Sequence, residues 1–325
     1  MKMVAIAALV TALVAQSSFA RVPEPENQTH TNPCRYSLPE SLLDKPFHFA
    51  GELIPIQRSD VRYRLTCHLN FLLLDARSIL TEWLSEKSRY SWLFEEVFAK
   101  EGIPREFVLL APILSVLNSK ASLRVSGTGW WFLSRPCAST EGIDMADDSW
   151  HDDRLDLELS TRCFAVRIKD TRKELGGDGW LMPMIAYLTS VKTVQELRER
   201  WKSDAFWDLP LPDAAEEVVL RWIALGIIDS HRGIYGLRFK DAAPMTFDQI
   251  TGLVLAKDLT LADIARMTRV PPREILRLNP KIKAVVGAFP SKSGGKLQTH
   301  TVSAPRGAGN ALLEALKKEG YLAPP

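Results

Sequence analysis

The sequence predicts a mainly α-helical domain followed by a small α+β module, and three observations indicate this. Between about residues 59 and 222, apolar residues recur at the three- and four-residue steps of a helix face. The spacing is clearest in one run: Leu69, Leu72, Leu73, Ala76, Ile79, Leu80 and Trp83. Strand-like alternation is scarce over the same residues, and near Pro244 the pattern changes to short strands and short helices. The 325 residues leave room for one large or two modest domains.

The first 20 residues differ from the rest and predict a secretory signal peptide. Lys2 carries the only charge, the run from Val4 to Ala15 is largely apolar, and Ser18-Phe19-Ala20 supplies the small residues at a signal peptidase site. The apolar run is shorter than the ~20 residues needed to span a bilayer. We therefore expect cleavage after Ala20, a periplasmic mature protein and no transmembrane segment.

Composition excludes several partners and cofactors. The chain has 41 Lys and Arg against 39 Asp and Glu, a formal charge of +2, whereas nucleic-acid-binding domains carry a dense basic face. No nucleic-acid partner is expected. The sequence lacks CxxC, HxH and HExxH motifs, so we expect no metal site and no cofactor.

The four cysteines, Cys34, Cys67, Cys137 and Cys163, take their meaning from export. An oxidising compartment allows an even number of thiols to pair, and four cysteines permit three connectivities. The sequence favours Cys34–Cys67 and Cys137–Cys163, because each pair joins neighbours along the chain. Four buried free thiols remain the alternative.

Breaker residues divide the chain. Residues 21–58 are rich in proline and predict an extended arm, residues 59–240 form the helical domain, and residues 241–325 form the module. Within the helical domain, helices are expected to end at Gly102-Ile103-Pro104 and at the glycine-rich run 176–179.

The module has its own local signals. Residues 247–255 predict a strand, residues 261–268 and 272–278 predict two short helices, and residues 297–303 predict a last strand. Pro272 suits the start of the second helix, where a missing N–H costs least.

Several motifs occur in an order that resembles a known family. They are Ser115-Val116-Leu117-Asn118, Gly129-Trp130-Trp131-Phe132, Asp153-Arg154-Leu155-Asp156, Ser160-Thr161, Trp180, Ala186-Tyr187 and Phe206-Trp207-Asp208-Leu209-Pro210. Together they resemble the membrane-bound lytic transglycosylase D family, goose-lysozyme-like enzymes that cleave peptidoglycan glycan strands. The resemblance implies a lysozyme-like helical domain of the soluble lytic transglycosylase (SLT) type.

The same resemblance places a leucine where the family carries its catalytic residue. The family's glutamate first protonates the glycosidic oxygen and then takes a proton from the C6 hydroxyl, which closes a 1,6-anhydro ring. Here the matching run is Ala111-Pro112-Ile113-Leu114-Ser115, and Leu114 occupies the glutamate position. Leucine transfers no proton at any pH, so no catalytic residue is assigned.

Neighbouring cleft positions have also become apolar. The family's sugar-contacting glutamine aligns with Phe132, and its asparagine after the tyrosine aligns with Leu188, whereas Tyr187 is retained. Trp130 and Trp131 have two interpretations: their flat faces stack on a sugar, or they plug the groove. The vestigial cleft is thus predicted to comprise Ser115, Trp130, Trp131, Phe132, Tyr187 and Leu188.

The module resembles a LysM module, a type that binds glycans containing N-acetylglucosamine. The resemblance rests on Asp258-Leu259-Thr260-Leu261, Ile264-Ala265, Val270, Ile275-Leu276 and Leu278-Asn279-Pro280. It implies glycan contacts at Thr260, Leu261, Asn279 and Pro280. The sequence departs from the family at Lys257 and Leu259, where the pattern has glycine and aspartate directly before threonine and leucine.

These observations predict a pseudoenzyme of the cell envelope. It would bind peptidoglycan glycan strands, an envelope protein, or both, as a scaffold or regulator. The alternative is a residual lytic transglycosylase that uses a displaced carboxylate such as Glu141. His151 beside Asp152 and Asp153 lacks a paired nucleophile and is expected to lie in a solvated loop.

Overall fold

A computed structural model describes residues 35–117, 122–123, 127–137, 143–293 and 295–323. Outside these residues lie the predicted signal peptide, the arm before residue 35, Cys34, Asn118 and the alternative acid Glu141. The predicted pairing of Cys34 with Cys67 is therefore outside them too.

The described part of the helical domain contains eight α-helices and two small hairpins. The helices are α1 Glu40–Leu43, α2 Ser59–Asn70, α3 Arg77–Glu101, α4 Leu110–Ser115, α5 Leu157–Leu175, α6 Leu181–Leu188, α7 Val191–Trp201 and α8 Asp213–Ser230. The hairpin strands are β1 Phe47–Phe49 with β2 Glu52–Ile54, and β3 Ser122–Leu123 with β4 Gly127–Thr128. Short 3₁₀ turns at Arg105–Leu109, Asp153–Leu155 and Phe206–Asp208 connect them, and the predicted mainly α fold is confirmed.

The predicted extended arm is wrong for its second half. Residues 47–54 form the β1–β2 hairpin, and Phe49 and Ile54 are buried in the main core. Phe49 meets Trp222 of α8 edge to face, with 4.9 Å between ring centroids. Gly226 permits this approach, because a Cβ there would lie 2.3 Å from the Phe49 ring. The hairpin is thus part of the helical domain.

The predicted helical face between Leu69 and Trp83 is interrupted. A π-helical segment, Phe71–Asp75, lies between α2 and α3. It inserts an extra residue into the turn, so the two flanking helices each keep an apolar face toward the core. Helix α3 ends where predicted, with Gly102 in the left-handed region at φ 68°.

The module is built from two paired strands with helices between them. Strand β5, Phe247–Val254, pairs antiparallel with β10, Thr299–Pro305. Between them lie α9 Leu261–Thr268 and α10 Pro272–Leu278, which match the predicted helices. The remaining elements are β6 Leu259–Thr260 with β7 Ala288–Phe289, β8 Lys292–Ser293 with β9 Lys296–Leu297, and the C-terminal helix α11 Gly309–Lys318.

Buried apolar side chains fall into two clusters. The larger runs from Leu38 to Met245, and the smaller lies within residues 253–321. Trp150 is an exception, because it lies in the loop before α5 but its side chain belongs to the smaller cluster. The two cores are therefore joined by a buried side chain. Within the described residues, every helix is too short or too polar to span a membrane.

Candidate functional site

Helix α4 carries the position that the resemblance assigns to a catalytic glutamate. Leu114 is 4% exposed, within the main core, and Ser115 is buried with its hydroxyl donating to the Ala111 carbonyl at 2.8 Å. The helix ends because Val116 and Leu117 both adopt positive φ, at 54° and 53°. Non-glycine residues rarely take this conformation, and such strain costs about 1–3 kcal/mol per residue. The strained turn thus begins two residues after Leu114.

The two tryptophans lie on a tight turn after strand β4. The Thr128 and Leu133 backbones exchange hydrogen bonds at 3.1 and 3.0 Å, and the Phe132 N–H donates to the Gly129 carbonyl at 3.3 Å. Gly129 has φ 81°, and a Cβ there would lie 2.1 Å from the Arg154 carbonyl oxygen. Only glycine fits where the turn packs this closely on the loop before α5.

Trp131 fills the protein interior. It is fully buried, stacks on Phe164 with 4.6 Å between centroids, and donates its indole N–H to the Thr161 hydroxyl at 3.0 Å. Phe94 and Phe98 meet its ring edge to face at 5.1 and 5.4 Å. Thr161 on α5 thus orients a core residue.

Tyr187 supports the same cluster. Its hydroxyl donates to the Trp131 carbonyl at 2.7 Å, and its ring meets Phe164 at 5.0 Å. Burial raises the pKa of the Tyr187 phenol, so it stays a neutral donor. Leu188 and Phe132, both half-buried, pack against the main core. The retained tyrosine therefore has a structural partner.

Trp130, in contrast to Trp131, borders a cavity. Its ring lies 4.8 Å from Tyr90 and 5.9 Å from Phe94 and borders a cavity of about 240 Å³. The residue is 4% exposed, and its indole N–H has no acceptor among the described residues. Leu114 does not line this cavity. The sequence did not distinguish the two tryptophans, because their difference depends on the turn conformation.

The disulfide Cys137–Cys163, predicted from sequence, is present. It ties the segment after the tryptophan turn to α5. Both sulfur-bearing residues are buried in the main core. The predicted Cys34–Cys67 pairing stays a prediction, since Cys34 lies outside the described residues.

The expectation that His151 lies in a solvated loop is wrong. His151, Asp152 and Asp153 are 9%, 5% and 8% exposed, because their segment packs against the module. The Asp152 N–H donates to the Lys281 carbonyl, and the Lys283 N–H donates to the Trp150 carbonyl, both at 2.9 Å. We call residues 147–156 the junction segment.

Ionic contacts reinforce this backbone pairing. The Lys281 ammonium lies 4.0 Å from Asp153 and 3.8 Å from Asp156, and Lys283 lies 3.1 Å from Asp147. Both lysines come from the module and all three carboxylates from the junction segment. Sequence reasoning missed these pairs because about 130 residues separate the partners.

His151 lies at the centre of the junction segment. Its Nδ1 is 2.9 Å from Asp148 and its Nε2 is 3.5 Å from Asp153. Burial opposes a charge on His151, but the hydrogen bond with Asp153 and the negative charges of both aspartates outweigh it and raise the pKa of the imidazole. Burial likewise opposes ionisation of Asp153, yet the His151 contact and the Ala146 N–H lower the pKa of that carboxyl.

The four predicted glycan contacts of the module are placed as follows. Thr260 caps α9 through a reciprocal hydrogen-bond pair with Asp263, and Leu261 is 6% exposed. The Asn279 amide donates to the Ile275 and Ser303 carbonyls and accepts from the Ser303 N–H. Pro280 lines the same cavity as Trp130. Their role in glycan binding stays a prediction.

Comparison with known proteins finds a distant match. The membrane-bound lytic murein transglycosylase D of Escherichia coli strain K12 is 26% identical over 199 residues, which cover 59% of this chain and 42% of that protein. The protein of the same name from Escherichia coli O6:H1 strain CFT073 matches to the same extent. The chain thus spans less than half the length of these relatives, and no protein-family model matches it. Mainly α and lysozyme-like in fold, the chain is a distant relative of membrane-bound lytic murein transglycosylase D.

Proposed function

We propose that this chain is an exported peptidoglycan-binding protein of the periplasm that has no lytic transglycosylase activity and acts as a scaffold or regulator. The carrying observation is Leu114, buried at the end of α4 where the family's acid and base would stand. Loss of a positioned acid/base typically costs about 10²–10⁴ in rate. The distant relationship to a murein transglycosylase supports peptidoglycan as the binding target.

The two carboxylates described on the wall of the cavity beside Trp130 are poor candidates for a displaced acid. Asp156 caps α5 by accepting from the Glu158 and Leu159 N–H groups at 3.1 and 3.0 Å, and it faces Lys281. Glu158 is exposed and lacks the apolar enclosure on which an acid of this kind depends. Neither carboxylate therefore suits the role of a catalytic acid.

The module supports the part of the proposal that concerns peptidoglycan binding. Its order of strand, two helices and strand, with β5 paired to β10, is compatible with a LysM-like role in glycan binding. An envelope protein partner is the other candidate. Trp131 is fully buried in the core, whereas the cavity beside Trp130 leaves space for a small ligand.

The test uses the mature chain, residues 21–325, with purified sacculi. We expect co-sedimentation with sacculi and no chromatographic peak for 1,6-anhydro products, with the Escherichia coli relative as the positive control. Failure to co-sediment would contradict the binding role and leave a protein partner. Release of anhydro products that a Glu141→Gln variant abolishes would instead establish the displaced-acid enzyme.

A further inference from the structure

The junction segment docks on the module by main-chain pairing. Residues 150–152 run antiparallel to residues 281–283, joined by two backbone hydrogen bonds of 2.9 Å, with His151 opposite Ile282 between them. Ile282 is fully buried in the core of the module. This is the way in which proteins capture an extended peptide, with backbone hydrogen bonds fixing its register. Here the captured peptide belongs to the same chain.

Trp150 anchors the junction segment in the module. Its side chain is 7% exposed and belongs to the core of the module. Its ring centroid lies 6.2 Å from that of Phe289 and 5.2 Å from that of His300. At docking surfaces, a buried aromatic side chain of this kind typically contributes much of the binding free energy. Docking of the module therefore depends strongly on Trp150.

These contacts lie next to the four positions that the sequence predicts to bind glycan in the module, Thr260, Leu261, Asn279 and Pro280. Asn279 and Pro280 directly precede the paired residues 281–283. Phe289, against which Trp150 packs, pairs with Leu259, the residue before Thr260. Leu261 and Asn279 are themselves buried. The junction segment is therefore docked beside the predicted glycan positions.

The vestigial cleft of the helical domain lies at the same interface. Trp130 and Leu117 border the cavity together with Arg277 and Pro280 of the module. Trp130 belongs to the vestigial cleft, and Pro280 is one of the predicted glycan positions of the module. The two surfaces that the sequence predicts to bind glycan thus face each other while the module is docked.

The other contacts of the junction segment are of a kind that permits opening. Besides Trp150, it holds the module through the two backbone hydrogen bonds and through the ion pairs of Lys281 and Lys283. Lys283 and Asp147 are each about a third exposed, and ion pairs that water reaches contribute little individually. Polar contacts between regions of one chain generally allow the regions to move apart.

We propose that the junction segment is an autoinhibitory contact: while it is docked, the predicted glycan positions of the module face the helical domain, and glycan binds once the module has undocked. The inference rests on the proposed function for the identity of the ligand. Because only the undocked fraction binds, the apparent dissociation constant equals the intrinsic constant divided by that fraction. A change that weakens docking should therefore tighten glycan binding.

The test compares the mature chain, residues 21–325, with two charge variants, and the probe is the tetramer of N-acetylglucosamine. Asp147→Lys places a cation opposite Lys283 and alters no position predicted to contact glycan. It should lower the dissociation constant about 3- to 10-fold, because attraction across the interface becomes repulsion. Asp144→Lys, at an exposed residue before the junction segment, makes the same change of charge and should bind like the wild type. Isothermal calorimetry measures all three.

Hydrogen exchange gives an independent readout of undocking. The Asp152 N–H donates to the Lys281 carbonyl in the docked state, so its exchange with solvent reports the opening of this contact. We expect addition of the tetramer to the wild type to speed exchange in a peptide that contains residue 152. Binding to the docked state would leave that exchange unchanged or slow it.

The proposal is overturned if the tetramer binds neither the wild type nor Asp147→Lys, or if Asp147→Lys binds it no more tightly than the wild type does. Exchange at residue 152 that does not rise with the tetramer overturns it as well. We expect sacculi to retain the wild type through its undocked fraction. Sacculus binding that persists in those cases leaves the proposed function standing, whereas a wild type that fails to co-sediment contradicts that function separately.

Discussion

Two adjacent tryptophans, Trp130 and Trp131, lie on one turn but in different surroundings. Trp131 stacks on Phe164 and donates its indole N–H to Thr161, so both the ring and the polar atom of its side chain have partners inside the helical domain. Trp130 has its ring against Tyr90 and its N–H unpaired beside a cavity. Two neighbours on one turn thus meet different surroundings, since Trp131 is enclosed in the core and Trp130 borders a cavity.

Alanine substitutions should separate the two tryptophans most strongly. Trp131→Ala should lower the free energy of unfolding by about 3–5 kcal/mol, because it empties the centre of an aromatic cluster. Trp130→Ala should lower the free energy of unfolding by about 1–3 kcal/mol less than Trp131→Ala does, because it also removes a buried unpaired N–H. Urea denaturation measures both, and equal losses would contradict the distinction.

Removing the disulfide should have the next largest effect on the free energy of unfolding. Cys137 and Cys163 close a loop with a sequence separation of 26 and tie the end of the tryptophan turn to α5. Replacing both with alanine should lower the free energy of unfolding by about 2–4 kcal/mol. The wild type under reducing conditions should lose a similar amount. A reductant-insensitive denaturation midpoint would show that the bond adds no stability.

Removing one hydroxyl should have a smaller effect. Tyr187→Phe deletes the donor to the Trp131 carbonyl and keeps the ring against Phe164. We expect a loss of about 0.5–1.5 kcal/mol in the free energy of unfolding. Sacculus binding should be unchanged if Tyr187 is only a structural residue, and reduced binding would instead give it a place in the cleft.

Local signals predicted the local parts of this fold. The helices Leu261–Thr268 and Pro272–Leu278 match their predicted bounds because a capping threonine and an initial proline mark their starts. The hairpin of residues 47–54 was missed, because its strands are only three residues long. Helix α5 is capped by Asp156, with Ser160 buried inside it. The hairpin is stabilised by packing against the main core, which spacing along the chain does not reveal.

The candidate site likewise has one part that the sequence identified and one part that it did not. Sequence motifs identified Leu114, the tryptophan pair and Tyr187, because these lie within matched segments. The second wall of the cavity, with Arg277, comes from about 150 residues further along the chain than Trp130. Nothing in local spacing brings these residues together; the pairing of Lys281 and Lys283 with the junction segment does.

The junction segment yields the smallest expected effect, a pH dependence. The pKa of His151 is raised in the folded state, so its contribution to stability is complete below the unfolded value of about 6.5 and is lost as the pH rises through the folded value. Asp148 and Asp153 have lowered pKa values, so their contribution is present above about 3.9 and is lost on acidification. Lys281 of the module faces Asp153, with 4.0 Å between the ammonium and the carboxylate.

His300 contributes with the opposite sign. Trp150 packs between the two histidine rings, and burial, together with the charges of Lys281 and His151, lowers the pKa of His300 despite the hydrogen bond to the Pro290 carbonyl. Protonating His300 below about pH 6.5 therefore destabilises the fold. The whole-protein pH profile mixes the two histidines, so the difference between the wild type and a His151→Gln variant is the informative quantity.

That difference in the free energy of unfolding should grow as the pH falls from above the folded pKa of His151 toward 6. It should shrink again below about pH 3.9, as the pH falls through the lowered folded pKa values of the two aspartates. His231→Gln, at the end of α8 and away from the junction segment, serves as the control. Denaturation at a series of pH values measures both. A constant difference between the wild type and His151→Gln would show that the charge on His151 does not help to hold the module against the helical domain.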